Sequence, residues 1–407
     1  MIMKGYFPRR LEPVLKRAAA QFPAVVVTGP RQSGKTTLLR QVFGSGHRYI
    51  SLDDPDHRRQ ALSDPRGFLE DNPPPLILDE IQQAPELLPF LKMAIDEDRD
   101  ARGRFLLTGS QSFPLMRDVG ESLAGRIAVL RLLPLAVAEN PGGRVPPVRD
   151  RETYARWALC GSYPELHRHP DLDRATWYAG YQQTYLERDV RTLANVGNLR
   201  DFDRLLALLA SRSGALLNHS DFARELGVAV NTVRAWISVL EASQQVFLCP
   251  AWFESLGKRV IKSPRAHILD PGLLCRLTGV TTEEQVLHGP MAGAIFESLV
   301  GAEILRLMTD AGGPPLLYHR RTVGGEEVDF VFELDGLVHA VECKLTSTPL
   351  PRHAQAMEAF LAAMPAHRRG KALLVCTRAR GGQLGGARVV PIGRFRNFRG
   401  LHDLIDD

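Results

Sequence analysis

The strongest chemical signal sits near the start of the chain. Gly29, Pro30, Arg31, Gln32, Ser33, Gly34, Lys35 and Thr36 satisfy the spacing GxxxxGK[ST], directly after the apolar run Ala24 to Thr28 and ahead of a helical stretch from Thr37 to Val42. Glycines let such a loop wrap closely around an anion, and its backbone N–H groups converge with the helix N-terminus on phosphate oxygens. A lysine at this position reaches the β- and γ-phosphates, and the neighbouring hydroxyl ligates Mg²⁺. Leu76-Ile77-Leu78-Asp79-Glu80 reads as an apolar strand ending in two carboxylates. Asp79, with Thr36, is placed to hold Mg²⁺ and its water shell, and Glu80 to polarise an attacking water. Phe105 to Ser110 is a further strand, and Ser110 at its carboxyl edge is the candidate sensor of the γ-phosphate.

A second constellation lies in the last third of the chain. Asp335-Gly336 between two β-rich runs is the strongest short hairpin signal. A two-residue turn pairs Leu334 with Leu337 and, counting outward, sets Asp329 opposite Glu342. Like charges so placed repel unless compensated, and a divalent cation between them is the expected compensation. Glu342 and Lys344 fall on one face of their strand. On the preceding helix Glu303, Arg306 and Asp310 share a polar face. Glu297 points almost the opposite way, toward Ala294, Val300 and Ile304, where a carboxylate wants a partner.

The elements that must position these groups alternate strand and helix. Continuous apolar strands at Ala24–Thr28, Leu76–Leu78, Phe105–Leu107 and Ile127–Leu130, separated by helical segments such as Arg9–Gln21 and Pro85–Ile95, predict a parallel sheet covered on both faces. Glu139 to Pro147 is rich in Pro and Gly and reads as a linker. Helical periodicity without a strand pattern runs from about Thr153 to Ala210. A helix–turn–helix pattern follows at Ser220–Glu241, with Val233, Trp236, Ile237 and Leu240 on its inner face and Asn231, Thr232, Arg234 and Ser238 outward. Lys258 to Lys262 then forms a basic candidate wing. DNA docking and a small winged fold used for packing are both open for this segment.

Composition narrows the class. The chain has 407 residues, 44% hydrophobic and 24% charged, which argues for two or three globular domains and against wholesale disorder. Its five cysteines, at 160, 249, 275, 343 and 376, contain no CxxC pair, so neither a zinc finger nor a disulfide framework is expected. No signal peptide is legible at the N-terminus, and no apolar run approaches the ~20 residues of a membrane helix. A cytoplasmic protein with no membrane partner is expected. The formal charge of +5 is mild. Arg368, Arg369, Lys371, Arg378, Arg380, Arg388, Arg394, Arg396 and Arg399, however, run without an acidic residue between Glu358 and Asp403, a tract suited to a phosphate backbone or to a solvated basic face.

The elements GPRQSGKT, LILDE and LLTGS together resemble an AAA+ ATPase domain over about residues 20–150. The resemblance implies ATP as the nucleotide, Glu80 and Ser110 as catalytic groups, and a homo-oligomer in which an arginine finger acts in trans. Arg126 is the preferred finger, with Arg117 and Arg131 competing. Asp329, Glu342-x-Lys344 and a carboxylate such as Glu297 resemble the PD-(D/E)xK nuclease fold, although Val328 replaces the usual proline. There the three carboxylates hold Mg²⁺ and Lys344 activates water, while Gln355 matches an auxiliary polar position weakly. The whole chain is similar to a bacterial and archaeal group of AAA+ ATPases with a winged-helix segment and a nuclease-like domain. The expected fold class is α/β: a P-loop AAA+ domain at 1–148, a helical and winged helix-turn-helix region at 149–288, and a restriction-endonuclease-like domain at 289–407. Two functions follow, an ATPase acting on DNA that gates a nuclease-like site, or a nucleotide-driven switch that binds DNA or a protein and never cuts.

Overall fold

The structure is a computed structural model that describes residues 5–110, 122–140, 145–185, 199–254, 263–322 and 324–406. Residues 258–262 of the candidate wing, Arg117 and residues 141–144 of the linker lie outside the described residues, as does the side chain of Ser110. Contacts divide the chain into two compact units. The first comprises Met1–Pro134 with the short segments Ala242–Gln244 and Thr309–Gly313, and the second the remainder. Among the described residues no helix is long and apolar enough to cross a membrane.

The first unit is built on five strands: β1 (Ala24–Gly29), β2 (Arg48–Ser51), β3 (Leu76–Asp79), β4 (Phe105–Ser110) and β5 (Ile127–Arg131). They lie in the order β2-β3-β4-β1-β5, and every pairing is parallel. Successive side chains of β1 enter opposite cores. Ala24 and Val26 pack with Leu76, Leu78 and Leu107, whereas Val25 and Val27 pack with Leu38, Leu39 and Ile77 on the other face. Burial on both faces is what makes such a strand read as one unbroken apolar run. The helix Lys35–Phe43 follows the loop out of β1, and Leu87–Glu97 lies between β3 and β4.

In the second unit the helices Arg151–Cys160, Pro164–Arg168, Arg174–Tyr185 and Leu199–Ser211 come first, with no strand among the described residues of this stretch. The helices His219–Leu226 and Val230–Ala242 follow, and the first is closed by Gly227 at φ 70. Val233, Trp236, Ile237 and Leu240 are buried, and Asn231, Arg234 and Ser238 are exposed, as the spacing predicts. An antiparallel pair comes next, β6 (Val246–Cys249) with β7 (Arg265–Ile268). The helix Ala292–Asp310 then leads into a six-stranded sheet of β8 (Tyr318–Arg321), β9 (Glu327–Leu334), β10 (Leu337–Lys344), β11 (Arg369–Cys376), β12 (Gly382–Leu384) and β13 (Ala387–Pro391). Its order is β12-β13-β11-β10-β9-β8, with mixed parallel and antiparallel pairs. The turn at Asp335-Gly336 is the two-residue hairpin expected, pairing Leu334 with Leu337.

The polar face shared by Glu303, Arg306 and Asp310 is buried: they are 0%, 1% and 5% exposed. Their helix is buried almost all round, and Arg306 Nη1 donates to Glu303 Oε1 at 2.8 Å while Val137 N–H donates to the same carboxylate. Charges buried in this way are found where they are paired.

Candidate functional site

The loop between β1 and its helix is shaped by close backbone approach. A side chain at Gly29 would meet the backbone oxygen of Leu132 at 2.1 Å, so only glycine fits as the strand turns. Gly34 turns the chain into the helix at φ 96. Gln32, at φ 60, holds a left-handed conformation uncommon for a non-glycine residue, strain of a kind that concentrates at functional loops. Lys35 is buried, and its ammonium donates to the carbonyls of Gly29 and Pro30 at 3.0 and 2.9 Å. Ser33 is fully buried in this loop, and its Oγ has no hydrogen-bond partner.

At the carboxyl edge of the sheet Asp79 is held from three sides. Its Oδ1 accepts the Thr36 hydroxyl at 2.7 Å and the Thr108 hydroxyl, and its Oδ2 accepts Tyr49 OH at 3.0 Å. Burial and the adjacent Asp79 carboxylate push the Tyr49 phenol up to about 12, so it stays a donor. Arg40 stacks over the Tyr49 ring at 4.7 Å. Glu80 follows at φ 59, donating its N–H to Thr108 Oγ1 at 3.0 Å and accepting from Gln82. The expected residues Gly29 to Thr37, Asp79 and Glu80 therefore share one edge, and the backbone of Ser110 reaches it, paired with Gly29. A hard oxygen donor set at Thr36 and Asp79, beside an orphaned hydroxyl in a glycine-lined loop, suits a triphosphate with Mg²⁺.

Three further residues serve this edge. Thr108 is the hydroxyl that ties β4 to both acidic residues, and the register Leu78 to Leu107 would have revealed it, since it places the next pair side by side. Tyr49 belongs to β2, a short edge strand without an apolar run. Arg9 is buried and donates to the carbonyls of Ser33 at 2.8 Å and Leu133 at 2.7 Å, bracing the loop from behind. No local signal announces it. Arg126, by contrast, precedes the opposite end of the sheet, where its carbonyl accepts from Ala24 N–H. Its guanidinium makes a bidentate pair with Asp96, at 2.7 and 3.0 Å. The structure does not bring it to the loop of its own chain.

The second unit brings Glu297, Asp329, Glu342 and Lys344 together. Asp329 Oδ2 accepts Cys343 N–H at 2.9 Å, and Lys344 Nζ meets Glu342 Oε1 at 2.7 Å. Burial, reinforced by Asp329, pushes Glu297 up to about 8 and Glu342 up to about 7, and burial raises Asp329 as well. Sequence reasoning did not anticipate Arg265, which pairs with Glu297 at 3.3 Å and Asp329 at 3.6 Å. His267 lies beside them, held down to about 3 by burial and then by Arg265, and is therefore neutral. Among the described residues no group of three or more His, Cys, Asp or Glu side chains is disposed to hold a metal ion.

The basic tract is partly committed elsewhere. Arg368 pairs with Glu333 at 3.0 Å, Arg369 donates to the carbonyls of Ala362 and Met364, and Lys371 and Arg388 both donate to the carbonyl of Ile405. Arg378, Arg380, Arg394, Arg396 and Arg399 are exposed, as is Gln355.

Comparison with known proteins divides the chain into three matched segments. An AAA domain family matches residues 21–140, and two families described as a domain of unknown function match residues 151–284 (DUF8612) and 292–395 (DUF4143). The uncharacterised proteins Mb2031c of Mycobacterium bovis and Rv2008c of Mycobacterium tuberculosis are each 33% identical over 335 residues, covering 82% of this chain and 73% of theirs. Among solved structures, the Walker-type ATPase PABY2304 of Pyrococcus abyssi is 17% identical with a TM-score of 0.46, covering 68% of this chain and 97% of its own. A RuvB of Thermotoga maritima is 19% identical with a TM-score of 0.28, covering 61% and 90%. Neither structural likeness is close enough to bear on function.

Proposed function

The chain belongs to one family with the mycobacterial proteins Mb2031c and Rv2008c and carries an AAA domain, and from that premise we propose that it is an Mg²⁺-dependent ATP hydrolase acting on DNA. The observation that carries the hydrolase reading is the 2.7 Å bond from Thr36 to Asp79 at the mouth of the glycine-lined loop. Residues 29–37 hold the triphosphate through backbone N–H groups, and Lys35 turns from the loop carbonyls to the β- and γ-phosphates. Thr36 and Asp79 hold Mg²⁺, which neutralises phosphate charge. Glu80, anchored through Thr108, orients the attacking water and accepts its proton. Ser110 reads the γ-phosphate from the end of β4. Arg126 is proposed as the finger offered in trans to a neighbouring copy, a role that requires it to release Asp96.

In this reading residues 1–148 turn over nucleotide, 149–288 dock on DNA and 289–407 carry the nuclease-like site gated by nucleotide state. The exposed Arg234 and the exposed arginines at 378, 380, 394, 396 and 399 supply phosphate contacts. With these six contacts, and a salt slope of about −0.9 per contact, ATP-dependent retention on duplex DNA is expected to fall about 2,000-fold between ~50 and ~200 mM salt. A filter-binding titration measures this, and a flat response would remove DNA as the partner. The second reading, a switch that never cuts, is favoured by Arg265, whose guanidinium holds two of the three carboxylates that a metal would need. Phosphate release and strand nicking, followed together with ATP, Mg²⁺ and a panel of DNA substrates, separate the two.

Tyr49 offers a specific check on the Asp79 geometry. Tyr49→Phe removes the donor to Oδ2 and leaves Thr36 and Thr108 in place. Losing an outer partner of a metal-binding carboxylate typically weakens metal affinity 10–100-fold. The Mg²⁺ concentration giving half-maximal phosphate release should rise about 10-fold, with metal-free nucleotide affinity unchanged. An unaltered Mg²⁺ requirement would show that Tyr49 only packs.

A further inference from the structure

The carboxylate cluster of the second unit contains a cation that none of the sequence motifs requires. Arg265 opens β7, is 5% exposed, and directs Nη1 to Glu297 Oε1 at 3.3 Å and Asp329 Oδ1 at 3.6 Å. Its Nη2 donates to Glu327 Oε2 at 2.7 Å. Glu327 also meets Arg321 at 3.0 Å, and Glu342 Oε1 meets Lys344. Glu342 Oε2, by contrast, is buried without a hydrogen-bond partner, in a residue 8% exposed.

Charge arithmetic shows what Arg265 does to this site. Glu297, Glu327, Asp329 and Glu342 share three cations, Arg265, Lys344 and Arg321, and only two would remain without Arg265. Removing it leaves the carboxylates short of the positive charge that a divalent ion would bring. The guanidinium donates to Glu297 through Nη1 and to Glu327 through Nη2 and stands 3.6 Å from Asp329, so it fills space among the carboxylates that a small octahedral cation would need. The orphaned Glu342 oxygen marks the end of the cluster where positive charge is still short, since burying an unpartnered carboxylate oxygen is unfavourable.

We propose that Arg265 is a built-in competitor for divalent metal: it engages Glu297 and Asp329 in its own ion pairs, and a metal ion binds at Asp329 and Glu342 only as the guanidinium withdraws. The inference rests on the nuclease-like reading of this cluster and adds to it a silent resting state. It also accounts for why the carboxylates converge and yet do not form a metal-holding group among the described residues.

The test is a calorimetric titration of the nucleotide-free full chain with Mn²⁺, using Glu342→Gln as the blank that subtracts binding at the P-loop. Arg265→Met should bind Mn²⁺ in the Glu342-dependent site at least tenfold more tightly than the wild type. Arg265→Lys keeps the charge, and therefore the fold if the methionine variant fails to form. Its ammonium lacks the fork and should tighten binding several-fold. Equal Mn²⁺ affinity in the wild type and the Arg265 variants would overturn the competitor role while leaving the nuclease-like reading in place. No Glu342-dependent binding in any variant would overturn both.

Discussion

Replacing Lys35 by alanine is expected to lower ATP turnover about 1,000-fold, measured as phosphate release at saturating Mg²⁺. The magnitude is that of removing one preorganised charged donor from a site where negative charge accumulates. Lys35 is suited to that role because it is buried at the loop and its ammonium already donates to two backbone carbonyls, those of Gly29 and Pro30. Exchanging those neutral acceptors for phosphate oxygens gains charge-assisted bonds. Lys35→Arg should rescue little, since a rigid planar fork cannot follow a point ammonium into the same space. Glu80→Gln separates binding from chemistry. Glu80 contacts Thr108 through its backbone N–H, which glutamine retains, so nucleotide should still bind while hydrolysis slows by about 10²–10⁴-fold, the usual worth of a general base. Normal turnover in Lys35→Ala would remove the triphosphate site from this loop. Normal turnover in Glu80→Gln would move the base elsewhere and leave the loop intact.

The nucleotide edge was legible because its parts are local. A strand buried on both faces leaves an unbroken apolar run, so Ala24–Gly29, Leu76–Asp79 and Phe105–Ser110 stand out, and the groups at their ends inherit a common edge from parallel pairing. The Asp329–Glu342 juxtaposition was legible for a similar reason, since a two-residue turn fixes register by counting. What escaped is long-range. Strand β2 spans four residues at the edge of its sheet, only Ile50 of them buried, so it carries no periodic signal and hid Tyr49. Arg265 stands 62 residues before Glu327 and on a different sheet from it, and only the tertiary fold makes them neighbours. Arg9 reaches a carbonyl 24 residues on and another 124 residues on, which no spacing rule anticipates. The spacing of Glu303 and Arg306 showed one shared polar face, but not that this face is buried.

That buried pair carries the largest expected effect on stability. Glu303 and Arg306 are 0% and 1% exposed and bonded at 2.8 Å one turn apart on the helix Ala292–Asp310, and the carboxylate also receives Val137 N–H at 3.2 Å. Removing one partner takes a charge-assisted bond from a buried ion that water does not reach, a loss of up to about 3–5 kcal/mol. Glu303→Ala should do more harm than Arg306→Ala, because it also orphans the Val137 donor, worth a further ~1–3 kcal/mol. For a chain of this size such losses should appear in denaturant titration as a lower midpoint for the second unit, with nucleotide binding by the first unit unchanged. The double replacement Glu303→Leu with Arg306→Leu removes both charges and fills part of the space, so its loss should be well below the sum of the single losses. Additive losses would mean that each side chain is held by partners other than its neighbour. Losses below ~1 kcal/mol would mean that water reaches the pair and that this helix is not enclosed as the fold implies.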